Sequence, residues 1–235
     1  MSDPYLLLWL EAPLQSWGHD SRFGRRDSLG FPTKSGVLGL ICCALGAGGE
    51  QQPLLARFTD LDMQLAAYVR SDREGQAVPR EPLLRDFQMV GSGYDDRDPW
   101  QKLLIPKMAN GKAPNGAGTK MTYRYYLQDM AFGVALQVPE DLADTLVEAL
   151  RNPVWDLYLG RKCCVPTELI LQGRFADATQ AQDAADHLAE TKQRQPCYRV
   201  LQGEHEGDEV LTLNDVPIQF GEHKQYRDRR VTVFS

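Results

Sequence analysis

The order of predicted elements constrains the fold of this chain more than any other feature. Alternating apolar residues indicate half-buried strands, and apolar residues three or four apart indicate helices. A strand, a helix and a strand come first, and after a long interruption the same order returns. This order predicts an α+β domain of the ferredoxin-like or RNA-recognition-motif type, βαββαβ. The predicted strands lie at 5–10, 61–69, 130–138 and 167–175, and the predicted helices begin near Ser35 and at Pro139.

The apolar run YLLLWL at residues 5–10 is typical of a strand that is covered on both faces. It is too short for a signal peptide and has no basic segment before it. No apolar run approaches the roughly 20 residues that cross a bilayer. The neighbouring pairs Cys42–Cys43 and Cys163–Cys164 do not fit a disulfide framework. We therefore expect a cytoplasmic protein with reduced cysteines and no membrane contact.

The interruption spans about residues 71–129 and is rich in Gly, Pro and Lys. A loop of this length inside a compact domain is either functional or disordered. From Pro99 to Gln128 it holds five basic residues and no acid, although the net charge of the chain is -6. A basic surface of this kind can hold a polyanion. The alternative is a solvated loop, and charge does not decide between the two.

The segment GFPTKSGVLGLICCALG, Gly30 to Gly46, has some likeness to a phosphate-binding loop. Thr33 stands where such a loop requires Gly, and Pro32 removes an N–H donor, so nucleotide hydrolysis is not expected. A helix that begins near Ser35, with Lys34 beside it, can still accept a phosphate. The alternative is that Ser35 caps the helix and that its glycines pack closely on the sheet.

Two clusters combine aromatic residues with cations: TYRYYL at 122–127 and YLGRKCCVP at 158–166. Such clusters suit single-stranded RNA, whose bases stack on rings while its phosphates pair with cations. The alternative is packed tyrosines beside solvated cations. No metal-binding motif is present, and we expect neither metal nor cofactor. RNA cleavage without a metal is conceivable for His19, Lys34 and Tyr126, but nothing in their spacing requires it.

Five motifs in one order resemble the type I-E branch of the Cas-five family of CRISPR-associated RAMP proteins. They are APLQSWG, FPTKSGVLGLICCALG, LLRDF, YRYYLQDMAF and YLGRKCCVP, and the resemblance covers residues 4–175 and, more loosely, the C-terminal strands. It implies a non-catalytic subunit of the Cascade surveillance complex that caps the 5′ handle of the CRISPR RNA. The implied partners are the CasC backbone subunit, the large subunit CasA, other Cascade subunits and, through the complex, target DNA. The alternative is a metal-independent endoribonuclease that processes repeat RNA, as in type I-C.

The resemblance also implies a domain plan. An RNA-recognition-like domain would occupy residues 1–176, with a long inserted β-hairpin, the thumb, at about 78–128. A C-terminal extension with a helix and short strands would occupy 177–235. The thumb residues expected to contact the backbone subunit are Trp100, Leu103, Leu104, Ile105 and Lys107.

The same resemblance implies a set of RNA contacts. Arg124 would pair with a phosphate or a base edge at the base of the thumb, and Tyr158 would stack or hydrogen-bond on a handle nucleotide. The candidates for contact with the RNA backbone are Lys34, Ser35, Arg161 and Lys162, and those in the first loop are Gln15, Trp17, Arg22 and Arg26.

Overall fold

The computed structural model describes residues 3–19, 21, 24–90, 97, 108 and 120–235. Its strands are β1 Tyr5–Glu11, β2 Leu14–Gln15, β3 Arg25–Arg26, β4 Met63–Arg70, β5 Leu84–Val90, β6 Lys120–Gln128, β7 Ala131–Gln137, β8 Leu171–Phe175, β9 Arg194–Gln202, β10 Glu209–Gln219 and β11 Gln225–Phe234. Its helices are α1 Lys34–Leu45, α2 Gln52–Ala56, α3 Glu140–Arg151 and α4 Ala178–Thr191. The predicted α+β class is confirmed. Among the described residues, the helices are too short or too polar to span a membrane.

A seven-stranded sheet forms the centre of the molecule. Its spatial order is β10-β11-β9-β4-β7-β1-β8, and every neighbouring pair in it is antiparallel. β9 joins the C-terminal hairpin to β4, so the residues of the predicted C-terminal extension continue the same sheet. The predicted division at residue 176 is therefore not marked by a break in the sheet. The strands β10 and β11 are also longer than the short strands expected there.

Both faces of the sheet are covered, as the apolar run in β1 predicts. Leu6, Leu8 and Leu10 belong to the core under α1 and α3, whereas Leu7 and Trp9 belong to a second core under α4. This division follows from strand geometry, in which successive side chains point to opposite faces. The second core is built mostly from small residues of the strands and of α4.

The packing of α4 on the sheet is close. A β-carbon added to Gly133 of β7 would lie 2.6 Å from the β-carbon of Ala185. The helix begins at Asp177, whose side chain accepts a hydrogen bond from the Gln180 backbone N–H. The α4 helix therefore covers the sheet face opposite α1 and α3.

The N-cap of helix α1 lies two residues before the cap that was predicted for it. Thr33, not Ser35, is the N-cap, and its hydroxyl accepts a hydrogen bond from the Gly36 backbone N–H at 3.1 Å. Gly46 ends the helix with a φ of 66°, a left-handed conformation that favours glycine. The helix thus starts and stops by standard capping chemistry.

A second, smaller sheet carries the arms of the inserted segment. β5 and β6 pair as antiparallel strands, with Phe87 opposite Tyr123. β6 also pairs with β2 and, in parallel, with β3. The residues between the arms, apart from Arg97 and Met108, lie outside the described residues, as does Arg22. The predicted contacts there are Trp100, Leu103, Leu104, Ile105 and Lys107.

Candidate nucleic-acid interface

The strand β6 is the centre of the candidate interface. We call this surface the thumb base, and it comprises Arg25 and Arg26 of β3, Arg85 of β5, residues 123–126 of β6, and Arg161. Arg25 and Arg26 of β3 lie beside Tyr123 and Arg124 of β6 in a parallel pairing. Because side chains alternate along a strand, Tyr123 and Tyr125 point to one face of β6, and Arg124 and Tyr126 point to the other. The aromatic and basic residues of TYRYYL are therefore distributed over both faces of a single strand.

Three arginine side chains at the thumb base lie over tyrosine rings. The guanidinium carbons and ring centroids are separated by 5.1 Å for Arg25 over Tyr125, 5.7 Å for Arg85 over Tyr123 and 4.5 Å for Arg161 over Tyr126. These distances are within the range of cation–π interactions. Guanidinium planes and aromatic rings are the surfaces on which unpaired bases stack.

Arg161 connects the loop after α3 to the strand β3. Its Nη2 donates a hydrogen bond of 2.9 Å to the carbonyl oxygen of Arg26. Its Nη1 is buried and has no hydrogen-bond partner among the described residues. Arg161 as a whole is only partly buried, so its guanidinium tethers the loop and also lies at the surface.

The loop at 158–164 is held against the first loop of the chain by its backbone. The Ser16 N–H donates to the Leu159 carbonyl at 3.1 Å, and the Leu159 N–H donates to the Cys164 carbonyl at 2.8 Å. Gly160 has a φ of 91°, and a β-carbon there would lie 1.7 Å from the Ser16 carbonyl oxygen. Only glycine fits this approach, so Gly160 fixes where the loop places its side chains.

Gln15 and Trp17 are buried, so neither side chain presents a surface to a ligand. The Gln15 amide nitrogen donates to the carbonyls of Leu10 and Met130, and the Trp17 indole N–H donates to the Gln15 side-chain oxygen. These bonds hold the first loop in place beneath the thumb base. The two residues therefore support the interface from below.

Lys34 is also placed differently from the expectation of an open helix start. It is fully buried, and its Nζ donates to the carbonyls of Thr59 at 3.3 Å and Leu61 at 2.5 Å. Burial lowers the pKa of this ammonium group to about 8. The predicted phosphate contact of Lys34 is therefore wrong, because its ammonium group is buried and bonds to backbone carbonyls. Ser35 is half-buried, and its hydroxyl donates to Thr33 Oγ1.

The remaining predicted residues divide into two neighbouring groups. Arg124 is half-buried and Arg26 is exposed, and both lie at the thumb base with Arg161. Tyr158 and Lys162 line a cavity at the other end of the same loop. The structure thus brings together Arg26, Arg124 and Arg161, and it sets Tyr158 and Lys162 beside them in the chain.

Sequence reasoning missed Arg25, Arg85 and Gly160. Arg25 stands next to Arg26, and a pair of arginines before an acid was a signal that could have found it. Gly160 lies inside the motif YLGRK, between the two side chains that were predicted to bind RNA. Arg85 has no such signal, because its place over Tyr123 depends on the β5–β6 register.

Of the three residues considered for metal-free cleavage, Lys34 and Tyr126 have separate partners in the structure. The Lys34 ammonium bonds to backbone carbonyls of the core, whereas the Tyr126 hydroxyl accepts from the Cys163 thiol at 3.7 Å. Within the described part of the chain, no group of three or more His, Cys, Asp or Glu side chains is placed to hold a metal ion.

Comparison with known proteins gives a consistent result. Residues 5–232 match the model of a family described as CRISPR-associated protein (Cas_Cas5). The chain is 30% identical over 172 residues to the CRISPR system Cascade subunit CasD of Escherichia coli (strain K12), covering 72% of this chain and 70% of that protein. It is similar to a chain of a solved CRISPR RNA-guided surveillance complex, with a TM-score of 0.68, 31% identity, and coverage of 97% of this chain and 88% of the other. A crystal structure of a Cas protein matches with a TM-score of 0.57, 25% identity, and coverage of 98% and 93%.

Proposed function

This chain belongs to the Cas5 family of CRISPR-associated proteins, and on that premise we propose that it is a non-catalytic RNA-binding subunit of a type I-E Cascade surveillance complex. It binds and caps the 5′ handle of the CRISPR RNA. The similarity to a Cascade subunit and to a chain of an RNA-guided surveillance complex supports this assignment. The protein acts in the cytoplasm.

The observation that carries the proposal is the position of Arg161. Its guanidinium stacks on Tyr126 and bonds to the backbone of Arg26, while the residue stays partly exposed at the surface. Tyr126 itself is buried, whereas Tyr123 on the same strand is 43% exposed, so arginine side chains and an exposed ring lie close together at the thumb base. Single-stranded RNA is bound by this combination of cations and rings. Arg124 and Arg26 add two more cations along the same strand pair.

The main sheet does not offer its face to RNA. In RNA-recognition motifs, bases stack on aromatic residues of the open sheet. Here the corresponding face is covered by α4, and Trp9 and Tyr68 are fully buried beneath it. RNA therefore binds at the loops and at the thumb base, outside the sheet.

The net charge of -6 is compatible with this role. Contact with one fixed end of an RNA needs a local group of cations, not a basic protein as a whole. The arginines of the thumb base supply that group. Base pairing by the guide reads the target DNA, as in other RNA-guided systems.

We also propose that the strands β4, β7, β1 and β8, together with α1 and α3, form the ferredoxin-like βαββαβ unit. Their spatial order and their antiparallel pairing support this topology. The paired β5 and β6 are then the arms of the thumb.

The thumb contacts the CasC backbone subunit, and other surfaces meet CasA and the remaining Cascade subunits. Four large apolar residues on one face of the arms are between 43% and 58% exposed, which supports contact with a protein partner: Phe87, Met89, Met121 and Tyr123. They form the cross-strand pairs Phe87–Tyr123 and Met89–Met121. Trp100, Leu103, Leu104, Ile105 and Lys107 remain predictions for the tip.

The test is to co-express the tagged protein with its neighbouring CRISPR-associated subunits, purify it and sequence the RNA that it retains. We expect one CRISPR RNA whose 5′ handle resists nuclease digestion. A handle that is digested as fast as naked RNA contradicts the proposal. Incubation of the isolated protein with repeat RNA in EDTA should leave the RNA intact, whereas a single cleavage product contradicts the non-catalytic assignment.

A further inference from the structure

A cavity of about 730 Å³ lies beside the C-terminal end of α1. The segment that follows α3 forms its wall and is anchored by backbone hydrogen bonds, from Val154 N–H to the Ala44 carbonyl at 3.0 Å and from Trp155 N–H to the Cys43 carbonyl at 3.3 Å. Its volume is typical of a small-ligand site. The cavity is thus held between two elements that pack on the core.

Trp155 is the unusual residue of this wall. Its side chain is 47% exposed, whereas Trp9 and Trp17 are buried in the core. A β-carbon on Gly48 would lie 3.1 Å from the Trp155 ring, so the chain leaves room for the ring at its edge. An aromatic ring that is positioned by its neighbours and still half open to solvent presents a surface for stacking.

The other lining side chains give the cavity a mixed chemistry. Tyr158 contributes a second ring and a hydroxyl, Lys162 a cation and Asp156 a carboxylate. A purely apolar partner segment would leave these polar groups without partners, which is unfavourable. A nucleotide matches all of them, because it has a stacking face, N–H donors and a phosphate.

We propose that this cavity takes one nucleobase, turned out of the RNA strand that is bound at the thumb base. The base stacks on Trp155, Lys162 pairs with a phosphate, and the Asp156 carboxylate accepts from the base. This inference rests on the proposed function and extends it to a second contact region. Continuity favours RNA as the occupant, because Lys162 at the cavity directly follows Arg161 at the thumb base.

The carboxylate also predicts which bases fit. Adenine, cytosine and guanine present an exocyclic amino group that donates to a carboxylate, whereas uracil presents none. Asp156 is exposed at the cavity and carries no ion pair among the described residues. Uracil can offer this carboxylate only its ring N3–H, so we expect a base with an amino group to bind more tightly than uracil.

The first experiment uses the complex purified with its own RNA. Irradiation with ultraviolet light joins stacked bases to aromatic side chains, and mass spectrometry then identifies the modified peptides. We expect a nucleotide adduct on the peptide that holds Trp155 and Tyr158. RNA adducts on 123–126 without any on 154–158 overturn this inference and leave the proposed function standing. A complex that holds no RNA overturns the proposed function itself. A protein cross-link at Trp155 in place of an RNA adduct shows that a partner subunit fills the cavity, and it also overturns the inference.

The second experiment measures affinity of the full-length protein for that RNA, labelled at its 3′ end. Trp155→Ala should weaken binding by roughly 5- to 100-fold, the usual range for loss of one base stack. Trp155→Phe, which keeps a ring, should recover most of the affinity. Leu169→Ala is the matched control, since Leu169 is 80% exposed and belongs to the same connection but does not line the cavity. Thermal unfolding of each variant separates a folding defect from a binding defect.

The RNA itself supplies the last readout. Replacing one nucleotide at a time by an abasic residue should reveal one position whose loss weakens wild-type binding but not binding by Trp155→Ala. Uracil at that position should weaken wild-type binding, and Asp156→Asn should reduce this preference. If every position is equally sensitive in the wild type and in Trp155→Ala, no base occupies the cavity.

Discussion

Gly160 lies so close to Ser16 that a β-carbon on Gly160 would be 1.7 Å from the Ser16 carbonyl oxygen. This contact sets the distance between the first loop and the loop that carries Tyr158 and Arg161. Two segments more than 140 residues apart thereby form one surface. The consequences for binding and stability can be measured separately.

Gly160→Ala should destabilise the protein and weaken RNA binding together. The added carbon collides with backbone, which cannot rotate away, and φ is positive, so we expect a loss of at least about 2 kcal/mol in the free energy of unfolding. Gly75→Ala is the matched control: its φ is 81°, but nothing lies within 4 Å of the added carbon. It should lose only about 1 kcal/mol and keep wild-type RNA affinity. Equal effects in urea unfolding would show that strain in φ, not the contact with Ser16, sets the result.

Arg161→Lys should weaken RNA binding although it keeps the charge. Lysine loses the planar stack on Tyr126 and replaces the fixed fork of guanidinium donors with a single ammonium group, so we expect roughly a tenfold loss of affinity. Arg230→Ala removes a cation whose ion pair with Glu204 lies on the surface of β11, and it should change affinity little. Fluorescence anisotropy with labelled RNA measures both. If Arg230→Ala lost more RNA affinity than Arg161→Lys, the overall charge of the protein, and not the thumb base, would determine binding.

Gly133→Ala should destabilise the sheet. Its new β-carbon would lie 2.6 Å from that of Ala185, so α4 must move away from the sheet at a cost of about 1–3 kcal/mol. Gly39→Ala is the control inside α1, where nothing lies within 4 Å. There the change should stabilise by about 0.5–1 kcal/mol, because alanine is the better helix former. Denaturant unfolding distinguishes the two signs, and a stabilising Gly133→Ala would contradict the tight packing of α4.

Lys34 should make stability depend on pH in the alkaline range. Burial lowers its pKa from 10.5 to about 8 in the folded protein, so between these values the unfolded chain binds more protons than the folded one. The free energy of unfolding therefore gains up to about 3 kcal/mol from this group as the pH rises from 8 to 10.5, and the gain is absent below pH 8. The measurement is the difference in unfolding free energy between wild type and Lys34→Met at several pH values. In that difference the titration of other groups cancels, and a constant difference would contradict the lowered pKa.

The positions of the main strands in the sequence are predictable because each strand shows its burial pattern in its own residues. The strands β1, β4 and β7 consist mainly of apolar residues, which indicates burial without knowledge of the rest of the chain. In β1, the side chains of Leu6, Leu8 and Leu10 lie on one face, and those of Leu7 and Trp9 lie on the other. β9 gives no such signal, because its sequence RQPCYRVLQ mixes Pro196 and two arginines with partly buried residues. Its place depends on the β4 edge that it completes.

The site was predictable only in part for the same reason. Two motifs, TYRYYL and YLGRKCCVP, place cations next to aromatic residues in the sequence. Arg124, Arg161 and Tyr158 could therefore be chosen as candidates from the sequence alone. Lys34 looked similar, but the carbonyls of Thr59 and Leu61, some 25 residues away, determine its burial. The spacing of neighbouring residues does not predict a contact between segments that are distant in the sequence.

The position of β9 between β4 and β11 has a consequence for synthesis on the ribosome. When residues 1–175 have emerged, β4 still lacks a neighbour on one side, and the sheet face that holds Trp9 and Tyr68 still lacks α4. The nascent chain therefore carries an open strand edge and a bare apolar face until α4 and β9, residues 178–202, have emerged as well. Such edges invite pairing with other chains. Production of this protein should accordingly depend on chaperones, or on a slow rate of expression, more than its finished structure suggests.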